Sequence, residues 1–296
     1  MKITGKSGVL LQALRQRGSL LEHRRLRRAG VLLALAAFCG GMVAAWTIHP
    51  DLFDHLVLRP WLLVLACVPL TILGNAAQFW MSSRLLGVVN IAFVPGAILV
   101  AILSTAANML PLPGGTLVRI AALKRTSNTY GQATYVTMLA AGCWLGVTST
   151  LAGCALIVLG FRGSGAATAA AGTGALVLFG VSLVRRFQAT PAWLGGLLAV
   201  QVMMVAVGAT RLWLCFRSFG EAVDPLAAAV LTLSTGIAAL IGIAPAGLGL
   251  TEALAAGIAA TISVPASLGF LAAALNRISG LVVVAPLTLL VHAVDS

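Results

Sequence analysis

Charge is scarce in this sequence. Only 9% of its residues are charged, and acidic side chains number 7 in 296 residues. A soluble domain needs about a quarter of its residues charged to cover its surface, so a water-facing exterior is excluded. Sulfur and imidazole are equally sparse. The five cysteines (Cys39, Cys67, Cys143, Cys154, Cys215) all lie in apolar runs without CxxC spacing, which argues against a disulfide framework or a zinc site. Three of the four histidines (His23, His49, His55) sit at segment ends. No Ser/His/Asp set, paired acids, GxGxxG or P-loop signature is present, so no cofactor is expected and an enzyme is disfavoured.

Apolar sequence fills the space those groups leave. Hydrophobic residues make up 60% of the chain, and the mean hydropathy is +1.03. Long apolar runs cover residues 30–48, 60–81, 91–110, 136–161, 167–184, 192–215, 226–243 and 266–291. They are continuous rather than alternating, which excludes an outer-membrane barrel and predicts an all-α polytopic membrane protein. The net charge of +12 does not indicate nucleic acid. Eight of the 19 basic residues (Lys2, Lys6, Arg15, Arg17, Arg24, Arg25, Arg27, Arg28) precede the first apolar run. That distribution predicts a basic cytoplasmic N-terminal segment, 1–29, ahead of a single transmembrane domain, 30–296, in a bacterial inner membrane. The first apolar run is expected to be retained rather than cleaved as a signal, because its charged leader is too long.

An internal repeat organises that domain. Shifted by 133 positions, Ala76, Trp80, Arg84 and Gly87 fall on Ala209, Trp213, Arg217 and Gly220, giving A-x3-W-x3-R-x2-G in both halves. The same shift lays Gly114 on Gly247, Leu117 on Leu250 and Arg119 on Glu252. Repeat 1 spans about 60–160 and repeat 2 about 192–292. Each contains a Pro/Gly break, Pro111-Leu-Pro-Gly-Gly115 and Pro245-Ala-Gly-Leu-Gly249. Proline removes a backbone donor and glycine permits positive φ, so each apolar helix is expected to stop and return as a re-entrant hairpin. With two hairpins, about six full spans remain. The repeats are then inverted, with Lys124, Arg125, Arg185 and Arg186 inside and Asp51, Asp54, Glu221 and Asp224 outside.

Charges within apolar runs mark the candidate site, since each costs about 2.5–3.5 kcal/mol at a helix centre. Arg119 follows the first break, Glu252 the second, and Arg277 lies in the last run beside Asn276. Arg119 and Arg277 are expected to hold a phosphate, helped by backbone N–H groups at Gly114, Gly115, Gly247 and Gly249. Asn108, just before the first break, and Asn276 complete the set. Arg119 and Glu252 are expected to approach each other. Glu252 would neutralise an arginine in the empty site or couple the cycle to protons. Arg211, equivalent to Gln78, joins the list, with snorkelling to the interface as its competing role. Asn75, Gln78 and Ser82 form an i, i+3, i+7 stripe read as interhelical hydrogen bonding. Arg84 and Arg217 read as interface anchors, and Trp80 and Trp213 as belt or packing residues.

These breaks carry a resemblance. Arg84-x2-Gly87, Leu110-Pro-Leu-Pro-Gly-Gly115 with Arg119, Ala244-Pro-Ala-Gly-Leu-Gly-Leu-Thr-Glu252 and Arg277 together resemble the transmembrane, flippase region of lysylphosphatidylglycerol synthases, the multiple peptide resistance factor family. The likeness covers roughly residues 30–292. Thr116 stands where family members often carry an acid, and no synthase domain accompanies the match, so aminoacyl transfer is not implied. The resemblance implies translocation of an anionic membrane lipid, with Arg119, Glu252 and Arg277 as its polar positions. The rival readings are an accessory subunit partnering a glycolipid- or hopanoid-biosynthesis enzyme, an intramembrane transferase, and a channel.

Overall fold

The computed structural model describes residues 36, 38–48, 57–87, 91–107, 114–124, 129–241 and 249–295. Among these the chain is helical and without strands: an all-α polytopic membrane protein. The helices are α1 (Phe38–Ile48), α2 (Leu58–Leu85), α3 (Ile98–Ala107), α4 (Gly114–Lys124), α5 (Tyr130–Val158), α6 (Arg162–Phe187), α7 (Pro191–Ser218), α8 (Pro225–Ile241), α9 (Leu250–Thr261) and α10 (Ala266–Asp295). Five of them, α2, α5, α6, α7 and α10, are long and apolar enough to cross a membrane. The sixth expected span, 30–48, enters the described residues only as α1. The basic segment 1–29 lies outside them.

Local chemistry sets the boundaries. Thr190 caps α7 by accepting from the Trp193 amide at 3.2 Å, and Pro191 supplies the first helical position. A capping box between Thr129 and Gln132 starts α5. α2 and α7 end alike: Gly87 and Gly220 adopt φ of 73° and 78°, which ends each helix in the left-handed region. One turn earlier, Arg84 lies over the Trp80 ring at 4.9 Å and Arg217 over the Trp213 ring at 5.3 Å. The repeated sequence motif is thus a repeated local structure.

The next two helices are short among the described residues. At 1.5 Å per residue, α3 with 10 residues and α4 with 11 are each about half of a ~30 Å hydrocarbon core. They pack against each other, with Ser104 of α3 beside Arg119 of α4, so the chain reverses across the break. α3 is preceded by a wide helical turn, Phe93–Ala97, that kinks at Val94 (φ −119°, ψ 126°). α8 and α9 pack against each other in the second half in the same way. The breaks themselves, 108–113 and 242–248, lie outside the described residues.

Counterpart helices coincide to the residue in one case, since Leu58–Leu85 moved by 133 positions is 191–218, the bounds of α7. Packing follows the same exchange. α3 rests on α10 as α8 rests on α5, and α2 touches α10 as α7 touches α5. α6 packs along α5, while α1 brings Phe38 to 6.2 Å of Phe270 on α10. α2 and α7 run antiparallel. The Val57 amide donates to the Ser218 carbonyl at one end (2.7 Å), and the Trp193 indole donates to the Met81 carbonyl at the other (3.3 Å).

The α5–α6 contact is built on glycine. A Cβ on Gly153 would stand 2.3 Å from the Ala169 backbone nitrogen, and one on Gly172 would stand 2.5 Å from that of Thr150. Backbone cannot yield as a side chain can, so this is the close approach that small residues permit between membrane helices. Gly153→Ala is expected to cost about 1–3 kcal/mol, read as a lower melting temperature in detergent. Gly174→Ala, which meets nothing within 4 Å, is expected to show no loss.

Candidate functional site

Arg119 sits in the second turn of α4 and reaches over α3 to α2. Its Nη2 donates to Asn75 Oδ1 at 2.7 Å, Nη1 to Gln78 Oε1 at 3.3 Å and Nε to Ser104 Oγ at 3.4 Å. The spacing of Asn75 and Gln78 puts both amides on one face of α2, and each amide nitrogen is tied elsewhere. Asn75 Nδ2 donates to the Thr71 carbonyl (3.0 Å) and Gln78 Nε2 to the Ala140 carbonyl on α5 (3.2 Å), which turns both amide oxygens towards the guanidinium. Every acceptor is neutral. Two of the five guanidinium N–H groups remain for a ligand.

The second half holds an ion pair. Gly249, at φ 74°, precedes α9, and Glu252 lies in the first turn, where the helix dipole favours a carboxylate. Glu252 is fully buried. Arg277 Nε on α10 donates to its Oε1 at 2.5 Å, whereas Oε2 has no hydrogen-bond partner. The Arg277 side chain keeps 19% of its surface exposed.

Arg211 on α7 joins the two halves. Only 8% exposed, it donates through Nη1 to Thr71 Oγ1 on α2 (3.2 Å) and through Nη2 to the Asn276 carbonyl on α10 (2.9 Å). A continuous polar chain therefore runs Arg119–Asn75–Thr71–Arg211–Asn276, with the adjacent Arg277 carrying it to Glu252. It crosses α4, α2, α7, α10 and α9. Thr71 is at the middle of the 28-residue α2. Three arginines share this chain with one carboxylate, and no other carboxylate of the described residues lies on it. The arrangement suits an anion with several acceptor oxygens, since guanidinium groups bind phosphate and carboxylate in bidentate fashion.

Two expectations are corrected. Arg119 and Glu252 do not pair: amides hold the first and Arg277 the second. Arg211 does not snorkel, because Thr71 and the Asn276 carbonyl hold its head group inside the helix packing. Asn276 contributes its backbone oxygen, while its buried Oδ1 is unpartnered. Gly114 opens α4 and Gly115 is buried beside it, whereas Asn108 and Gly247 lie outside the described residues. Asn75 and Gln78 are interhelical hydrogen-bonders, as the stripe suggests, with the charged residue of the site as their partner, whereas Ser82 donates to the Gln78 carbonyl of its own helix. Ser104 and Thr71 carried no mark of their own in the sequence.

No protein-family model and no curated protein matches this chain.

Proposed function

We propose that this protein is a lipid flippase or lipid transporter of the bacterial cytoplasmic membrane. Its substrate is an anionic phospholipid or polyprenyl-phosphate-type lipid. The head group passes between two inverted repeats while the acyl or prenyl chain stays in the bilayer. One observation carries this reading: three arginines and one carboxylate occupy the middle of an apolar bundle. Each such charge is expensive in hydrocarbon, and the excess is positive. A structural purpose would be served by a balanced pair. A surplus held by neutral amides, with N–H groups to spare, is suited to receiving an anion.

Three further features support the reading. Counterpart helices α2 and α7 run antiparallel, as inverted repeats require. With the N-terminus inside, Arg185 and Arg186 at the end of α6 face the cytoplasm and Glu221 and Asp224 after α7 face outwards, in accord with the charge rule. The break motifs resemble the flippase region of lysylphosphatidylglycerol synthases. Native mass spectrometry of gently purified protein tests the substrate class. Retention of phosphatidylglycerol-type lipid over phosphatidylethanolamine is expected. Unselective retention of both would overturn the proposal.

A further inference from the structure

Of the four charged side chains on the polar chain, only Glu252 can lose its charge by taking up a proton, because a guanidinium stays protonated. Among the described residues that charge has a single counter-ion, Arg277. α10 carries no charged residue but Arg277 between Ala266 and Leu290, and α8 carries none from Pro225 to Ile241. α9 has no other titratable group, and residues 242–248 contain none. Glu252 is fully buried and its Oε2 is unpartnered. The Arg277 guanidinium, 2.5 Å away, is therefore the group that balances the carboxylate.

A phosphate that takes Arg277 breaks that arrangement. The guanidinium passes from carboxylate to phosphate, leaving a buried carboxylate with no compensating charge, a state strongly disfavoured in a low-dielectric interior. Binding one proton removes it, converting Glu252 to the neutral acid. No other bond changes. We propose that Glu252 is the proton site of the transport cycle, and that one proton enters with each monoanionic head group. This rests on the lipid-transport reading above. The loaded step then moves an anion and a proton together, and the unloaded protein returns with the Glu252–Arg277 pair closed. The coupled movement is electroneutral. A pH gradient drives it and a membrane potential does not.

The test uses the intact protein in liposomes with a trace of fluorescent phosphatidylglycerol, the membrane potential clamped to zero, and the interior one pH unit more alkaline. One-proton symport predicts an inner-to-outer leaflet ratio of the label of about tenfold at that gradient. Collapsing the gradient with a proton–potassium exchanger is expected to return the ratio to about one. Glu252→Gln is expected to hold it near one with the gradient present. Because that variant also strips Arg277 of its partner, proton entry is read on the wild type as well. A pH dye inside the vesicles is expected to acidify in step with lipid arrival. Rapid wild-type movement of the label to equal leaflets, with no response to the gradient, would overturn the proton proposal and leave the transport reading standing. The absence of any protein-dependent movement would overturn both.

Discussion

Arg277→Ala is expected to destabilise the protein by about 3–5 kcal/mol, more than the loss expected of Gly153→Ala. The reason is what the substitution leaves behind. Glu252 has no exposed surface, only one of its oxygens is hydrogen-bonded, and that bond comes from Arg277. Removing the guanidinium strands a carboxylate where neither water nor another cation reaches it. Adding Glu252→Gln is expected to recover more than half of the loss, since a neutral amide carries a far smaller burial penalty. The reverse order separates the two causes: Glu252→Gln alone is expected to cost less than Arg277→Ala, because 19% of the Arg277 side chain already meets the exterior of the fold. Melting temperatures of the three variants in one detergent decide this. Equal losses for both singles, with no relief in the double, would mean that packing and not charge sets the cost.

Arg119→Ala is expected to slow translocation of an anionic lipid by about 10- to 100-fold, the equivalent of one charge-assisted hydrogen-bonding contact worth ~1.5–3 kcal/mol. Arg119→Lys is expected to restore little. Three of the guanidinium's donors are already spent on Asn75, Gln78 and Ser104, and an ammonium has only three in all. Held by those oxygens, lysine has nothing left to offer a phosphate. Stability behaves differently here from Arg277, because the groups left behind are neutral amides and a hydroxyl. A rate loss without a comparable fall in melting temperature is therefore the signature of a binding role. Full-rate translocation by Arg119→Ala would remove this residue from the site.

What the sequence disclosed was mostly local. Proline and glycine act on the backbone where they stand, so the division into short helices that pack in pairs, α3 with α4 and α8 with α9, was legible from the breaks. The A-x3-W-x3-R-x2-G motif likewise encodes its own helix end, down to the positive φ of Gly87 and Gly220. Charged positions in apolar runs were legible because burial is costly for them. Their partners were not. Gln78 and Arg119 are separated by 41 positions and Arg211 and Thr71 by 140, and nothing in either segment encodes the other. An approach of Arg119 to Glu252 was expected from two breaks converging near the midplane, but nothing local to either break encodes which side chain its charged residue meets. Arg211 lies a turn and a half from Arg217, near enough to the helix end to suggest snorkelling. Packing of α7 between α2 and α10 supplies acceptors inside instead.

The claim at the centre is that a positively charged polar chain across the bundle moves anionic lipid. Leaflet exchange of fluorescent phosphatidylglycerol and phosphatidylcholine, compared in proteoliposomes and protein-free vesicles, tests it most directly. The account predicts protein-dependent exchange of phosphatidylglycerol at least about tenfold faster than that of phosphatidylcholine, the selectivity that one charge-assisted contact provides. Equal rates for the two lipids, or no exchange above the protein-free vesicles, would contradict it.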